Sequence, residues 1–131
     1  MAFFFVNGLI AGMILAAFLA LCDGLFQTNT LLVLIDVSYV PGLSGLPSLV
    51  ELLIHLMISA GVTMGIALFY PRRRGRPVAK YLLYWLMAFT IAYFPFSMLS
   101  DVPVSMTAFL IWVMGHLIYT LFLAIQVERF R

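Results

Sequence analysis

Polar and apolar positions in this chain are not interleaved; they come in blocks. Continuous apolar runs cover Phe3–Cys22, Ser48–Tyr70, Tyr81–Leu99 and Val104–Val127. Asp23 bounds the first, Pro47 and Pro71 the second, a basic stretch precedes the third, and Pro103 and Glu128 flank the fourth. A bilayer core about 30 Å thick needs roughly 20 apolar residues in a helix rising about 1.5 Å per residue. Each run meets that length. Lipid offers no water to an open sheet edge, and a barrel would need short alternating strands, so helices are the remaining solution. The pattern predicts an all-α, integral membrane four-helix bundle in one domain, with spans over 3–22, 48–70, 81–99 and 104–127.

Between the first two spans, residues 23–47 form an outer loop. Its apolar middle, Leu31–Ile35, is too short to cross, and Pro41, Gly42, Gly45 and Pro47 then make an irregular turn. The expectation is an interfacial segment that partly lids the outer face. Between the second and third spans lies a short basic loop, 71–80.

Composition agrees with the pattern. Of 131 residues, 65% are hydrophobic and 9% charged, whereas a water-soluble domain carries about 25% charged residues to cover its surface. The net charge of +2 forms no stripe for nucleic acid. Instead Arg72, Arg73, Arg74, Arg76 and Lys80 occupy the short loop, and Arg129 and Arg131 end the chain. Basic loops stay in the cytoplasm, and with four spans both basic regions fall on the same side, so both termini are expected there. Asp23, Asp36, Glu51 and Asp101 all fall toward the opposite side. One cysteine, Cys22, excludes an internal disulfide and a multi-cysteine metal site. Without Lys or Arg ahead of it, the first run reads as a retained anchor rather than a cleaved leader.

Two patterns of residues stand out inside the spans. Gly8, Gly12, Ala16 and Ala20 recur every four positions on the first helix, and Gly61 and Gly65 repeat the spacing on the second. Small residues let helix backbones approach closely, so a packing seam between these two helices is expected, with self-association the alternative. Ionisable and hydroxyl groups form the second pattern. Glu51, His55 and Ser59 share a face of the second helix; Trp112, His116 and Thr120 share one on the fourth, with Tyr119 beside it. Such groups in apolar helices turn toward a bundle interior or a wet cavity, and histidine titrates near neutrality. Neutral histidines bonded to neighbouring helices would account for the same residues without any activity.

Counting from Pro47 and Pro103 puts the two histidine rings at heights differing by roughly 8 Å, which disfavours a haem held between them. No cofactor is therefore expected. Neither an H-E-x-x-H array nor a G-x-S-x-G elbow is present, so no metal site and no enzyme are expected either. The chain also reads as two hairpins, each with a histidine on its second arm after a loop containing Asp and Pro, the outline of a parallel repeat.

The segments Gly8-Leu9-Ile10-Ala11-Gly12, His55 through Pro71, and Gly115-His116-Leu117 resemble the YagU-like family of uncharacterised bacterial inner-membrane proteins, whose members carry a larger outer loop. The resemblance implies a bacterial cytoplasmic membrane and transfers no catalytic residue. From the residues, the leading expectation is a non-enzymatic bundle with a Glu51–His55–His116 site for a proton, an ion or a small solute. The alternatives are an accessory or scaffold subunit of a larger membrane complex, and a haem- or quinone-binding redox protein. The expected partners are the lipid bilayer and either a second copy of the chain or a larger complex.

Overall fold

The structure, a computed structural model, describes residues 2–130. Among them the chain forms five helices: α1 (Ala2–Phe26), α2 (Thr30–Ile35), α3 (Ser48–Leu68), α4 (Arg76–Leu99) and α5 (Met106–Phe130). All but α2 are long and apolar enough to cross a membrane. The boundaries follow local chemistry. Extended Pro47 precedes α3. Gly75, in the left-handed region at φ 90°, turns the chain into α4, a conformation that costs glycine little. Pro77 then sits in the first turn of α4, where a missing N–H is harmless. Arg76 and Lys80 therefore belong to α4 and not to a loop; the basic connection is shorter than 71–80.

The long helices pack in the order α3, α1, α5, α4: α1 lies against α3 and α5, and α5 against α4. α3 and α4, joined by a short connection, meet near the basic end, where the Tyr81 hydroxyl donates to the Ile66 carbonyl at 2.9 Å, but pack less closely than the other neighbours. At one end of the bundle the Phe3 and Phe4 rings meet Phe130, each with centroids 4.8 Å apart. Tyr70 donates to Glu128 at 3.0 Å, and Arg74 Nε lies 3.4 Å from the same carboxylate. The two ends of the described chain and the basic connection thus share one end of the bundle. Arg131 lies outside the described residues.

The α1–α3 seam runs antiparallel. A Cβ on Gly8 would stand 2.6 Å from the Ala60 backbone, and one on Gly12 2.9 Å from Ser59. Ala11, Leu15, Ala16 and Leu19 bury the rest of this side of α1. Two sequence expectations need correction here. Ala20 is exposed, and a Cβ on Gly61 or Gly65 would meet nothing within 4 Å. Position 61 is two residues beyond Ser59, just over half a turn around a helix of 3.6 residues per turn, so it faces away from the seam. The residues of α3 that meet Gly8 and Gly12 of α1 include Leu56, Ser59, Ala60 and Thr63. The pattern also passed over Gly115 of α5, which accepts Leu15, Phe18 and Leu19 of α1.

At the opposite end α2 folds back across the helices, touching α1, α3, α4 and α5. Thr30 and Val33 are buried as deeply as the core. The fold-back is held by Asp23 near the end of α1. Its Oδ1 accepts from the Thr28 hydroxyl at 2.6 Å and from the Thr30 N–H and hydroxyl at 2.9 and 2.6 Å; its Oδ2 accepts from the Leu31 N–H at 2.9 Å. The carboxylate satisfies the otherwise orphaned first amides of α2, a task the preceding Asn29 side chain does not perform. The segment is a short helix folded over this end of the bundle, with Thr30, Val33 and Ile35 buried against it.

A candidate ligand cavity between the edge helices

Outward of the Tyr81–Ile66 hydrogen bond, α3 and α4 do not close on each other, and a space of about 320 Å³ remains between them. Its floor is Leu15 of α1 with Trp112, His116 and Tyr119 of α5. His55, Ile58, Ser59 and Val62 of α3 form one wall, and Phe89, Ala92 and Phe96 of α4 the other. Leu34 at the end of α2, with Asp36, Val37 and Tyr39 after it, closes the outer end. On facing edges, Ile58 is more than half exposed and Phe96 partly so, so the space opens sideways between α3 and α4.

Hydrogen bonding fixes the polar groups. Ser59 Oγ donates to the Gly8 carbonyl at 2.7 Å and lies 2.8 Å from Tyr119 Oη. A serine hydroxyl has one proton, so Tyr119 donates to Ser59. His55 Nε2 faces the Gly12 carbonyl at a long 3.4 Å, and His116 Nδ1 donates to the Trp112 carbonyl at 2.9 Å. A carbonyl only accepts, so in each neutral ring the nitrogen facing it carries the proton and the other keeps a lone pair. The glycines explain how two of these bonds arise: with no side chain on Gly8 or Gly12, serine and histidine four residues apart on α3 reach carbonyls four residues apart on α1. The result is a set of acceptors, namely His55 Nδ1, His116 Nε2 and Tyr119 Oη. Aromatic rings frame them, with Trp112 and Phe89 centroids 4.5 and 5.2 Å from His116. Trp112 itself is held by its N–H to the Phe89 carbonyl at 2.9 Å.

The Ser59–Tyr119 bond also corrects the expected height difference. His55 is four residues outward from Ser59 and His116 three residues outward from Tyr119, so the rings are level to within about 2 Å of helix rise. Counting from prolines misled because α3 starts directly after Pro47 whereas α5 starts only at Met106, three residues after Pro103, and the two helices do not begin at equal depth.

Two other candidates sit outside the cavity. Glu51 Oε2 accepts the Val37 N–H at 3.0 Å, so this carboxylate anchors the strap rather than joining His55. Thr120 bonds back to the His116 carbonyl at 2.7 Å, a local helix contact. Asp36, which the sequence pattern did not single out as a site residue, stands at the outer rim and accepts the Ser38 N–H at 3.0 Å. Burial pushes its carboxyl up, but hydrogen bonds from the Ser38 backbone and hydroxyl outweigh this and leave it below the ordinary aspartate range. Tyr39 beside it is pushed up by burial and by the Asp36 charge. Nothing in the apolar pattern could have revealed Phe89, Ala92 or Phe96, because they become site residues only through the gap between α3 and α4.

Toward the basic end the buried side chains in the middle of the bundle become apolar, while at its side the Tyr81 hydroxyl donates to the Ile66 carbonyl at 2.9 Å. Thr63 bonds to the Ser59 carbonyl at 2.8 Å, and beneath it Ile66, Leu123 and Val127 are buried. Among the described residues no three His, Cys, Asp or Glu side chains converge as metal ligands. Comparison with family models, curated proteins and solved structures finds no match to this chain.

Proposed function

We propose that this protein binds a small lipid-soluble molecule whose polar head donates hydrogen bonds, taken from the bilayer through the gap between α3 and α4. A hydroxylated aromatic ring with an apolar tail, of the quinol type, is the class that fits best. The observation that carries this reading is the convergence of three acceptors, His55, His116 and Tyr119, in an aromatic-walled cavity. Its sideways opening favours a guest from lipid over one from water. A volume of about 320 Å³ is at the small end of ligand pockets, about 300–1,000 Å³, which suits a single ring better than a porphyrin. The buried apolar layer below Thr63 favours binding over conduction of an ion or proton. The reading is non-enzymatic. It includes a bacterial cytoplasmic membrane, as the family resemblance implies, with the basic end of the bundle inside.

The test is equilibrium binding of a short-chain alkyl quinol in lipid nanodiscs, followed by Trp112 fluorescence in a Trp85→Phe background. Saturable binding is expected, with the quinone form weaker because its carbonyls only accept. Tyr119→Phe and His116→Leu should each weaken it about fivefold, the equivalent of one net hydrogen bond of about 1 kcal/mol. Non-saturable partitioning that ignores both substitutions would sink the proposal. A second reading, packing on another copy or a larger complex, is favoured by Gly61 and Gly65 on the open outer side of α3. If it holds, Gly61→Leu lowers the native mass in detergent.

A further inference from the structure

Away from that cavity, a second groove lies between α4 and α5 at the basic end of the bundle. Its mouth is formed by Tyr70, Arg74, Glu128 and Arg129, and its shaft by apolar residues that descend α4 from Val78 to Leu82 and α5 from Ile125 to Leu121. From Arg129 to Leu121 is eight residues, about 12 Å along the helix. The shape is thus a polar ring above an apolar channel on the outer surface of the bundle, where Leu121 and Ile125 are exposed.

We infer that this groove holds one anionic phospholipid, with its phosphate between Arg74 and Arg129 and an acyl chain against Val78, Leu82, Leu121 and Ile125. Charge complementarity selects this occupant. Glu128 is the one acidic residue at the mouth, and it is engaged by Arg74 and by the Tyr70 hydroxyl. A guanidinium has five donors, more than a single carboxylate can occupy, and its planar fork matches a phosphate. In the same connection and at the start of α4, Arg72, Arg73, Arg76 and Lys80 add positive charge to this end of the bundle. That surplus favours an anionic headgroup over a zwitterionic one. The apolar shaft requires a lipid and gives a free phosphate ion nothing to bind. Glu128 has a positioning role: by holding Arg74 over the groove it keeps the fork aimed at the mouth.

The experiment purifies the whole protein from nanodiscs of mixed phosphatidylglycerol and phosphatidylcholine and measures the retained lipid by native mass spectrometry. Wild type should retain one phosphatidylglycerol. The double variant Arg74→Gln, Arg129→Gln should lose it, with retention falling at least fivefold, since each arginine near the surface is worth about 1 kcal/mol toward anionic lipid. The charge-matched double variant Arg72→Gln, Arg73→Gln should keep it, because it removes the same diffuse charge from outside the groove. Ile125→Trp, which fills the shaft and leaves every charge intact, should also expel it. Soluble glycerol phosphate at millimolar concentration should not compete. Equal loss in the two arginine pairs, retention after Ile125→Trp, competition by glycerol phosphate, or no preference over phosphatidylcholine in wild type would each overturn the inference.

Discussion

Gly8 and Gly61 are the same residue on the same kind of helix, yet the structure gives them opposite roles. A methyl group on Gly8 would stand 2.6 Å from the Ala60 Cα, and backbone cannot step aside as a flexible side chain can. The helices must separate, and overpacking of this kind costs about 1–3 kcal/mol. Gly61 has open space, so alanine there gains helix propensity of up to about 1 kcal/mol with nothing to displace. Gly8→Ala is therefore expected to lower the melting temperature in detergent, and Gly61→Ala to leave it level or raise it. Melting curves in the reverse order would mean that the α1–α3 seam lies elsewhere. The four-residue spacing was legible in the sequence on both helices, but spacing does not say which way a stripe faces. What decides it is a contact, here the one that Ser59 and Ala60 make with α1, and no periodicity contains that.

At the scale of elements, α2 depends on one carboxylate belonging to another helix. Asp23 accepts from the first amides of α2, those of Thr30 and Leu31, which have no carbonyl partner within the helix. Losing a helix cap costs about 0.5–2 kcal/mol, so Asp23→Ala should raise hydrogen exchange at Thr30 and Leu31 by about tenfold while the amides of α5 stay protected. Unchanged protection at those two amides would show that packing alone holds α2. The strap that follows has its own dependence on pH. Burial pushes the Asp36 carboxyl up, but hydrogen bonds from Ser38 hold it below the ordinary aspartate range. A carboxylate with a depressed folded pKa contributes stability above its unfolded value, and that stability is lost as pH falls through the folded one. Exchange across residues 36–39 should therefore accelerate below about pH 4, and Asp36→Asn should remove the step. A pH-independent strap in wild type would contradict the assignment. None of this could be read from the chain: residues 31–35 were visible as an apolar run too short to cross, but the partner that folds it inward sits a turn away on α1.

For the molecule as a whole, the four long helices were legible because lipid demands length and apolarity, which a linear pattern records. Their neighbour order was not. A short connection between α3 and α4 gives every reason to expect a packed hairpin, yet these helices pack mainly on α1 and α5 and meet each other through the Tyr81–Ile66 hydrogen bond near the basic end. The candidate site is a consequence of that order, which is why its histidines could be picked out from their chemistry while its α4 wall could not. The same order gives the last prediction. If the guest comes from lipid, it passes between Ile58 and Phe96, the exposed edges of the gap. Cysteines introduced at 58 and 96, with Cys22→Ser to leave no competing thiol, can be joined by a cleavable bis-maleimide that bars the gap without touching His55, His116 or Tyr119. Quinol binding in nanodiscs should fall to background in the cross-linked protein and return when the linker is cut. Both single-cysteine proteins, labelled with the same reagent, should bind nearly as well as wild type. Full binding in the cross-linked protein would mean that the guest arrives from the outer end, beneath the strap at Asp36 and Tyr39, and the sideways route would then be wrong even though the cavity itself is occupied.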